Sequence, residues 1–264
     1  VYFCFSLPYQ LEDFERFYSK YSQLSCLERK VLTVSERGRQ VPLIIVGKQD
    51  AKRHIFLTCR HHACESVASY VLEGFLDTVI NKIESSIYRN YQIHVVPFVD
   101  IDGVEDGEQG KGRPPHDHNR DYIDEPIYNS TSSLMKYASE KKPEIFIDLH
   151  CPWKWGDSDD ISSQRNNNVF FMKRMPPIRE EVEKLGQCLQ RTISNEPDSD
   201  KVIYYGKYDM SIGEEWFKPE TPCSTKFFEK IGARISVTCE YTYFGTGNMI
   251  ITQSNSRGFG RNLS

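Results

Sequence analysis

A His-x-x-Glu pair, His62 and Glu65, lies between an apolar strand-like run and a long amphipathic segment, and this placement strongly constrains the fold. Residues 54–59 are apolar and partly β-branched, which is typical of a buried strand. From Val67 onward, apolar residues recur with a period of about 3.6, which predicts a helix with one buried face. The chain must therefore turn from a strand into a helix at this pair.

The types and the spacing of His62 and Glu65 suit a metal ion. Side chains three residues apart share a face where the backbone turns helically, so an imidazole nitrogen and a carboxylate oxygen can point at one place. Zinc accepts both kinds of ligand. A His and a Glu at this spacing also occur by chance at solvated helix starts, so the interpretation depends on the rest of the sequence.

Two further apolar runs end in residues of matching chemistry. Residues 144–149 lead into His150, a candidate third ligand that would leave the fourth position of a zinc ion open, as in catalytic sites. Residues 235–239 lead into Glu240, a carboxylate suited to act as general base towards water. Alone, His150 is better explained as a core or strand-edge histidine, and Glu240 as an exposed residue at a strand end. Together with the His-x-x-Glu pair they favour a hydrolytic metal site.

Residues 117–122 supply a candidate clamp for an anion. They read Asp-His-Asn-Arg-Asp-Tyr and follow a loop at 102–113 that is rich in glycine and charge. The guanidinium of Arg120, with the neighbouring amide of Asn119, can hold a planar carboxylate through two hydrogen bonds, which a lysine cannot do with the same geometry. The simple alternative is a surface turn.

In chain order, these segments resemble the one-zinc metallocarboxypeptidases of the M14 family. That family combines a His-x-x-Glu, an Asp-x-Asn-Arg, a strand-end His and a strand-end Glu, and the resemblance covers nearly the whole chain. Residues 5–9 are similar to the start of the catalytic domain in the cytosolic-carboxypeptidase branch, where a small β domain precedes it. Residues 95–104 resemble the family's Asn-Pro-Asp-Gly turn, with Ile101 in place of the usual proline.

The resemblance implies an activity and a metal site. It implies a zinc-dependent hydrolase that removes C-terminal residues from peptides, with one zinc ion per chain bound by His62, Glu65 and His150. It further implies that Glu240 is the catalytic base that activates water. The expected partner is therefore the C-terminus of a peptide or protein.

The resemblance also implies roles around the metal. Asp117 would orient a ligand histidine, which we take to be His62, because such partners fix the imidazole tautomer. Asn119 and Arg120 would bind the terminal carboxylate of the substrate. The family's arginine that polarises the scissile carbonyl is assigned to Arg113, the only arginine in the loop at 102–113.

Two features depart from the family pattern. The family's His-Pro-Gly-Glu is here His-Ala-Cys-Glu, which keeps both ligands and places the Cys64 thiol beside the metal. The family's substrate-capping tyrosine has three candidates in this chain, Tyr204, Tyr205 and Tyr208. The sequence leaves open which C-terminal side chain of the substrate the specificity pocket accepts.

Strand-like and helical runs alternate along the 264 residues, which predicts a single α/β domain over residues 1–264. We expect a mixed, mostly parallel central sheet with helices on both faces. The predicted strands are 30–35, 42–47, 54–59, 92–99, 144–150, 169–172 and 235–240, and the predicted helices include 178–193 and 224–231. The chain begins with valine, so we expect a fragment of a longer protein. The resemblance to the cytosolic-carboxypeptidase branch implies that a small β domain precedes residue 1.

The amino-acid composition limits the classes of partner that the protein is expected to bind. The net charge is −4, and charges of both signs are interspersed without a basic run, which argues against nucleic acid. The apolar runs fall short of the about 20 residues that a membrane span needs. Eight irregularly spaced cysteines form no disulfide framework, and reduced thiols favour the cytoplasm. The oligomeric state stays open.

Two alternative functions share this chemistry. A deacylase of N-acyl amino acids would use the same zinc, base and carboxylate clamp, because it cleaves the same amide bond. A binding domain without catalysis could retain the zinc or only the fold, although the intact Glu240 speaks against it.

Other sites are less consistent with the sequence. Residues 107–112 fail the P-loop pattern, since Glu105 stands where its first glycine is needed. A structural zinc site could be formed by Cys59, His61, His62 and Cys64. One turn cannot easily wrap four ligands around a metal, and that site leaves Glu240 and Arg120 unexplained. Cys64 as a nucleophile lacks an identifiable oxyanion hole.

Overall fold

The computed structural model describes residue 4 and residues 6–153, 161–195, 201–246 and 249–264. Its strands are β1 (Leu27–Val34), β2 (Gln40–Gly47), β3 (Arg53–Cys59), β4 (Tyr91–Val96), β5 (Ile145–His150), β6 (Phe170–Lys173), β7 (Met210–Ser211), β8 (Ile235–Glu240), β9 (Gly245–Thr246) and β10 (Met249–Ile250). Among the described residues, the first eight strands form one sheet in the order β1-β2-β4-β3-β5-β8-β6-β7, and β9 pairs with β10.

Helices connect most of these strands. They are α1 (Leu11–Ser19), α2 (Val67–Asn81), α3 (Ile101–Asp106), α4 (Asn129–Lys141), α5 (Ile161–Asn166), α6 (Ile178–Ser194), α7 (Ser224–Lys230) and α8 (Gln253–Leu263). Short 3₁₀ helices lie at His118–Arg120 and Gly206–Tyr208. None of the described helices has the length and apolar character of a membrane span.

The centre of the sheet is parallel. The neighbouring strands β4, β3, β5 and β8 run in one direction, while β2 and β6 join this group antiparallel. The register places His150 directly beside Glu240, and Thr58 beside Asp148. The ends of β3, β5 and β8 therefore meet at one edge of the sheet, which confirms the predicted mixed, mostly parallel α/β fold.

Both faces of the central sheet are covered. On one face, the ring of Phe228 in α7 lies 3.6 Å from the ring of Phe146 and 5.8 Å from that of Phe56, measured between centroids. Leu57 and Ile147 follow these residues in the strands and point to the opposite face, where they are also buried. Continuous burial along a strand is typical of a sheet packed on both sides.

The predicted strands agree with the structure to within a few residues, with two informative differences. The prediction at 92–99 extends beyond the end of β4, because residues 97–100 turn into α3; there the Val99 and Asp100 amides donate to the carbonyls of Cys59 and Arg60. The prediction at 30–35 begins later than β1, since β1 lies at the sheet edge and its sequence there is polar.

Helices α2 and α8 pack closely because glycines face the partner backbone. A Cβ atom at Gly74 would lie 2.0 Å from the carbonyl oxygen of Arg257, and one at Gly260 would lie 1.9 Å from that of Val71. No side chain fits in either place. This contact fixes the helix that follows the His-x-x-Glu turn.

We expect Gly260→Ala to lower the free energy of unfolding by about 2–3 kcal/mol, because the added methyl forces the two helices apart. Urea unfolding followed by circular dichroism measures the change. Ser254→Ala, at an exposed position of the same helix, is the matched control and should change stability by less than about 0.5 kcal/mol. Equal stabilities of the two variants would contradict the packing argument.

Candidate metal centre and active site

The turn between β3 and α2 is held by a buried arginine. Arg60 follows β3 with φ at 60°, an uncommon conformation for a residue with a side chain. Its guanidinium donates hydrogen bonds to the carbonyl oxygens of Ala63 at 3.1 Å and Tyr9 at 2.9 Å. The two predicted ligands lie in this braced turn, where His62 Nδ1 is 2.8 Å from Glu65 Oε1.

The third predicted ligand reaches the same point from β5. His150 Nδ1 lies 3.2 Å from His62 Nδ1 and 2.8 Å from Glu65 Oε2. One ligand atom from each of the three residues lies within 4.8 Å of the other two. The structure thus brings together the three side chains that the sequence singles out.

These residues fit a zinc ion. Ligand atoms bound tetrahedrally at about 2.1 Å from zinc lie about 3.4 Å apart, close to the separations observed here. Within the described part of the chain, Glu65 Oε2 makes no hydrogen bond despite its short distance from His150 Nδ1. A buried carboxylate oxygen without a hydrogen bond is expected where an ion or a water completes the site.

A second group of potential ligands, His61, Asp148 and His150, is occupied by its own hydrogen bonds. Asp148 lies 2.9 Å from His61 Nδ1 and 2.9 Å from His150 Nε2, while His61 Nε2 lies 2.7 Å from the hydroxyl of Tyr122. Asp148 also accepts from the hydroxyl of Thr58 at 2.7 Å. This group is better suited to orient His150 than to bind a metal itself.

The hydrogen bond from Asp148 fixes the tautomer of His150. With the proton on Nε2, the lone pair of Nδ1 points towards His62 and Glu65. Burial acts to raise the pKa of Asp148, but the neighbouring His150 and His61 outweigh it and hold the pKa well below its usual range. The carboxylate therefore stays ionised as the partner of His150.

Sequence reasoning misses Asp148, although a signal exists. Asp148 and His150 are two residues apart on one strand, so their side chains lie on the same face. An acid on the same face as a predicted ligand histidine is a candidate to orient it.

Glu240 ends β8 beside His150 and is buried. Burial raises the pKa of its carboxyl group, and the charge of Glu65 acts in the same direction, although His150 and Lys111 oppose it. Among the described residues, its Oε2 atom has no hydrogen-bond partner. A buried carboxylate with a raised pKa is a stronger base than an exposed one.

The predicted Asp-x-Asn-Arg segment lies beside the ligands. Asp117 caps the 3₁₀ helix by accepting from the Asn119 amide at 3.0 Å, and its Oδ1 atom lies 3.5 Å from His62 Nε2. Burial acts to raise the pKa of Asp117, but His62 and Arg120 outweigh it and hold the pKa well below its usual range. Asp117 is therefore placed to orient His62.

Asn119 and Arg120 point towards a narrow pocket beside the ligands. Asn119 Nδ2 lies 3.4 Å from His150 Nε2, and its Oδ1 accepts from the Ser224 amide at 3.0 Å. The side chain of Arg120 lines both this pocket and the wider cleft, together with His62 and Glu240.

Arg113 lies in the same cleft, but its guanidinium is engaged. Its Nη2 atom is 2.7 Å from Asp100 Oδ2 and 2.7 Å from Glu108 Oε2. The cation that contacts a predicted ligand is instead Lys111, whose Nζ atom lies 2.8 Å from Glu65 Oε1. Sequence reasoning misses Lys111 because the family pattern names an arginine in this loop.

The structure also shows the surroundings of Cys64 and of candidate capping tyrosines. The Cys64 thiol lies 3.6 Å from the hydroxyl of Tyr243 and belongs to neither ligand group among the described residues. Of the three candidate capping tyrosines, Tyr204 is buried and donates to Asp209 at 2.7 Å. The described residues that line the cleft include neither Tyr205 nor Tyr208.

Comparisons with known sequences point to one protein family. A family model described as zinc carboxypeptidase matches residues 13–145, about half of the chain. Cytosolic carboxypeptidase 6 of Caenorhabditis elegans is 26% identical over 167 residues, which cover 57% of this chain and 36% of that protein. Cytosolic carboxypeptidase 2 of Xenopus tropicalis is 25% identical over 189 residues, covering 64% and 18%. The chain thus spans little more than a third, or less, of these relatives.

Solved structures show the same fold. A metallo-carboxypeptidase from Burkholderia cenocepacia has a TM-score of 0.75 at 17% identity, covering 97% of this chain and 67% of that one. Carboxypeptidase A from Helicoverpa armigera has a TM-score of 0.67 at 11% identity, covering 97% and 70%. At these identities the similarity concerns the fold.

We expect Asp148→Asn to weaken zinc binding by about 10–100-fold, because His150 loses the carboxylate that orients it. Competition with a zinc chelator measures the dissociation constant. Asp209→Asn is the matched control: Asp209 also accepts partly buried hydrogen bonds, from Phe171 and Tyr204, but it contacts none of the predicted ligands among the described residues. A full loss of affinity in the control, or none in Asp148→Asn, would contradict the assignment.

Proposed function

Because this chain belongs to the zinc carboxypeptidase family, we propose that it is a zinc-dependent carboxypeptidase that removes C-terminal residues from peptides. The observation that carries the proposal is the convergence of three potential zinc ligands with a buried base, Glu240, and a carboxylate-binding side chain, Arg120, at one cleft. A ligand set alone would suit a structural metal site. The base and the guanidinium beside it favour hydrolysis.

His62, Glu65 and His150 would hold the zinc ion. When bound, the ion supplies a Lewis acid that polarises the scissile carbonyl and lowers the pKa of water towards about 7. Asp117 and Asp148 would keep the two imidazoles in the required tautomer. The protein thus contributes a fixed, largely buried ligand set.

Glu240 would act as the general base and then as the general acid. Its carboxylate takes a proton from the attacking water and later gives it to the leaving amine. The position of Glu240 at the end of a buried strand supports this role, because the rigid strand fixes the distance between the carboxylate and the ligands.

Arg120 and Asn119 would restrict cleavage to a free C-terminus. The narrow pocket that Arg120 lines would receive the terminal side chain. Its remaining walls are mostly apolar or weakly polar and include Met172, Phe217, Thr221, Cys223, Thr225 and Thr238. All but one of these residues follow Tyr204 in the chain.

We also infer a cytoplasmic location. The names of the curated relatives support this inference. None of the eight cysteines forms a disulfide, which is typical of a reducing compartment.

The first test combines zinc content with the release of amino acids. Purified protein is assayed for bound zinc and for free amino acids released from a library of peptides with varied C-terminal residues. One zinc per chain with such release supports the carboxypeptidase. Zinc with hydrolysis of N-acyl amino acids alone would favour a deacylase instead.

We expect Glu240→Gln to retain zinc and to lower kcat by about 10²–10⁴-fold, because the amide cannot accept the proton from water. The measurement pairs zinc content with steady-state kinetics on the best peptide. Glu214→Gln, which changes a surface partner of Arg165, is the matched control and should keep both. Substantial turnover by Glu240→Gln would rule out its role as the base.

We expect Arg120→Ala to raise KM for peptides with a free C-terminus by about 10–100-fold, because a charge-assisted contact with the carboxylate is lost. The preference for a free over an amidated C-terminus should shrink with it. Arg120→Lys should recover part of the affinity, since it keeps the charge but not the planar fork. Arg191→Ala, at an exposed position of α6, serves as the control. Unchanged KM and unchanged preference would remove the clamp assignment.

A further inference from the structure

The loop at 107–112 places the buried, positively charged side chain of Lys111 in the proposed active site. Lys111 Nζ lies 2.8 Å from Glu65 Oε1 and 2.7 Å from the carbonyl oxygen of Cys151, the residue after His150. Its side chain is only 11% exposed. Burying an ammonium group is costly unless acidic groups and acceptors surround it, so its place in the cleft needs an explanation.

The loop is held firmly in this position. Gly110 has φ at 86°, and a Cβ atom there would lie 2.5 Å from the Ala63 amide nitrogen. The Cys64 amide donates to the carbonyl oxygen of Gln109 at 3.1 Å. The loop therefore packs against the turn that carries His62 and Glu65.

The surroundings of Lys111 keep it charged. Burial acts to lower its pKa, but the carboxylates of Glu65 and Glu240 outweigh burial and raise the pKa above its usual value. Its ammonium group contacts a predicted metal ligand and lines the same cleft as the proposed base. In the proposed reaction, charge develops in that cleft when the amide is hydrolysed.

Arg113 has a different environment. Its guanidinium contacts Asp100, which caps α3, and Glu108. Both carboxylates contact Arg113, and Glu108 is shared with Arg37. Arg113 therefore anchors the loop to α3, and Lys111 is the cation of this loop that contacts the ligand set.

We propose that Lys111, rather than Arg113, supplies the positive charge that stabilises the oxyanion formed on the scissile carbonyl of the substrate. This inference rests on the proposed function. Among the described residues, Glu65 and Cys151 provide the two oxygen acceptors of the ammonium group, which has three N–H donors. The ammonium group also lies 5.7 Å from the centroid of the Trp153 ring. We assign its third N–H to a substrate oxygen.

In the proposed reaction, Lys111 acts only by electrostatic stabilisation of the developing anion. As the oxygen of water bonds to the carbonyl carbon, the π electrons of the carbonyl move to its oxygen, and the ammonium group donates a hydrogen bond to the resulting anion. The C–O double bond then re-forms, the C–N bond breaks, and Glu240 protonates the amine. Lys111 keeps its proton throughout.

The test compares Lys111→Met, Lys111→Arg and Arg113→Gln with the wild type. For each variant, zinc content, kcat and KM for a peptide are measured. Calorimetry gives the affinities for a tetrahedral phosphonate analogue of that peptide and for a product-like carboxylate. Lys184→Met, at an exposed position of α6, is the control for loss of a lysine.

In Lys111→Met we expect kcat to fall by about 10²–10³-fold with KM changed by less than about threefold. Affinity for the phosphonate should fall by a similar factor, while affinity for the carboxylate and the single bound zinc should be retained. Lys111→Arg keeps the charge and should recover at least about tenfold of kcat. Arg113→Gln should lose much less kcat than Lys111→Met.

Three results would overturn the inference. Unchanged kcat and phosphonate affinity in Lys111→Met would remove the role, as would a larger loss in Arg113→Gln. Loss of zinc from Lys111→Met would show that the charge serves Glu65 and the metal instead of the substrate. A wild type that releases no amino acid from any peptide contradicts the proposed function itself, and the phosphonate comparison then still tests Lys111 separately.

Discussion

The structure depends on the mutual compensation of charges at the ends of three buried parallel strands. The ends of β3, β5 and β8 bring Glu65, His150 and Glu240 together in a place with little access to water. An isolated carboxylate there would be very unfavourable, so an ionised group such as Glu65 needs a cation or hydrogen-bond donors in contact. Much of the surrounding loop structure can be understood as supplying them.

The loops supply these partners through backbone features that tolerate little change. Arg60 braces the ligand turn at a positive φ, and Gly110 lets the neighbouring loop approach the same turn without a side chain between them. As a result, Lys111 reaches Glu65 across the junction of the two loops. The rigid sheet fixes the predicted ligands from one side, and these loops fix them from the other.

Much of this arrangement is predictable from the sequence, because a parallel sheet converts strand order into spatial proximity. Residues that end buried strands must meet at one edge, so His62, Glu65, His150 and Glu240 could be grouped before any coordinates. The very short strands β7, β9 and β10 carry too few residues for a period to be visible. They escape prediction for that reason.

The orientation of loop side chains is much less predictable. Lys111 and Arg113 are two residues apart in one glycine-rich loop, and their spacing does not reveal which of them turns inward. The direction of each side chain is set by its tertiary partner, since Arg113 forms an ion pair with Asp100 and Lys111 forms one with Glu65. Asp148 is intermediate between the predictable strand-end residues and the unpredictable loop side chains. The sequence shows that it shares a strand face with His150, but it does not show the hydrogen bonds of Asp148.

The charges in direct contact with the ligand set also bear on the choice of metal. Glu65, Asp117 and Asp148 contribute three negative charges, and Lys111 contributes one positive charge, if both ligand imidazoles are neutral as metal binding requires. The resulting net charge of −2 matches a divalent cation. The two Nδ1 atoms and the carboxylate further favour zinc over magnesium or calcium, which prefer oxygen ligands. The same lysine that would serve the substrate would therefore also set the charge that a bound metal ion has to balance.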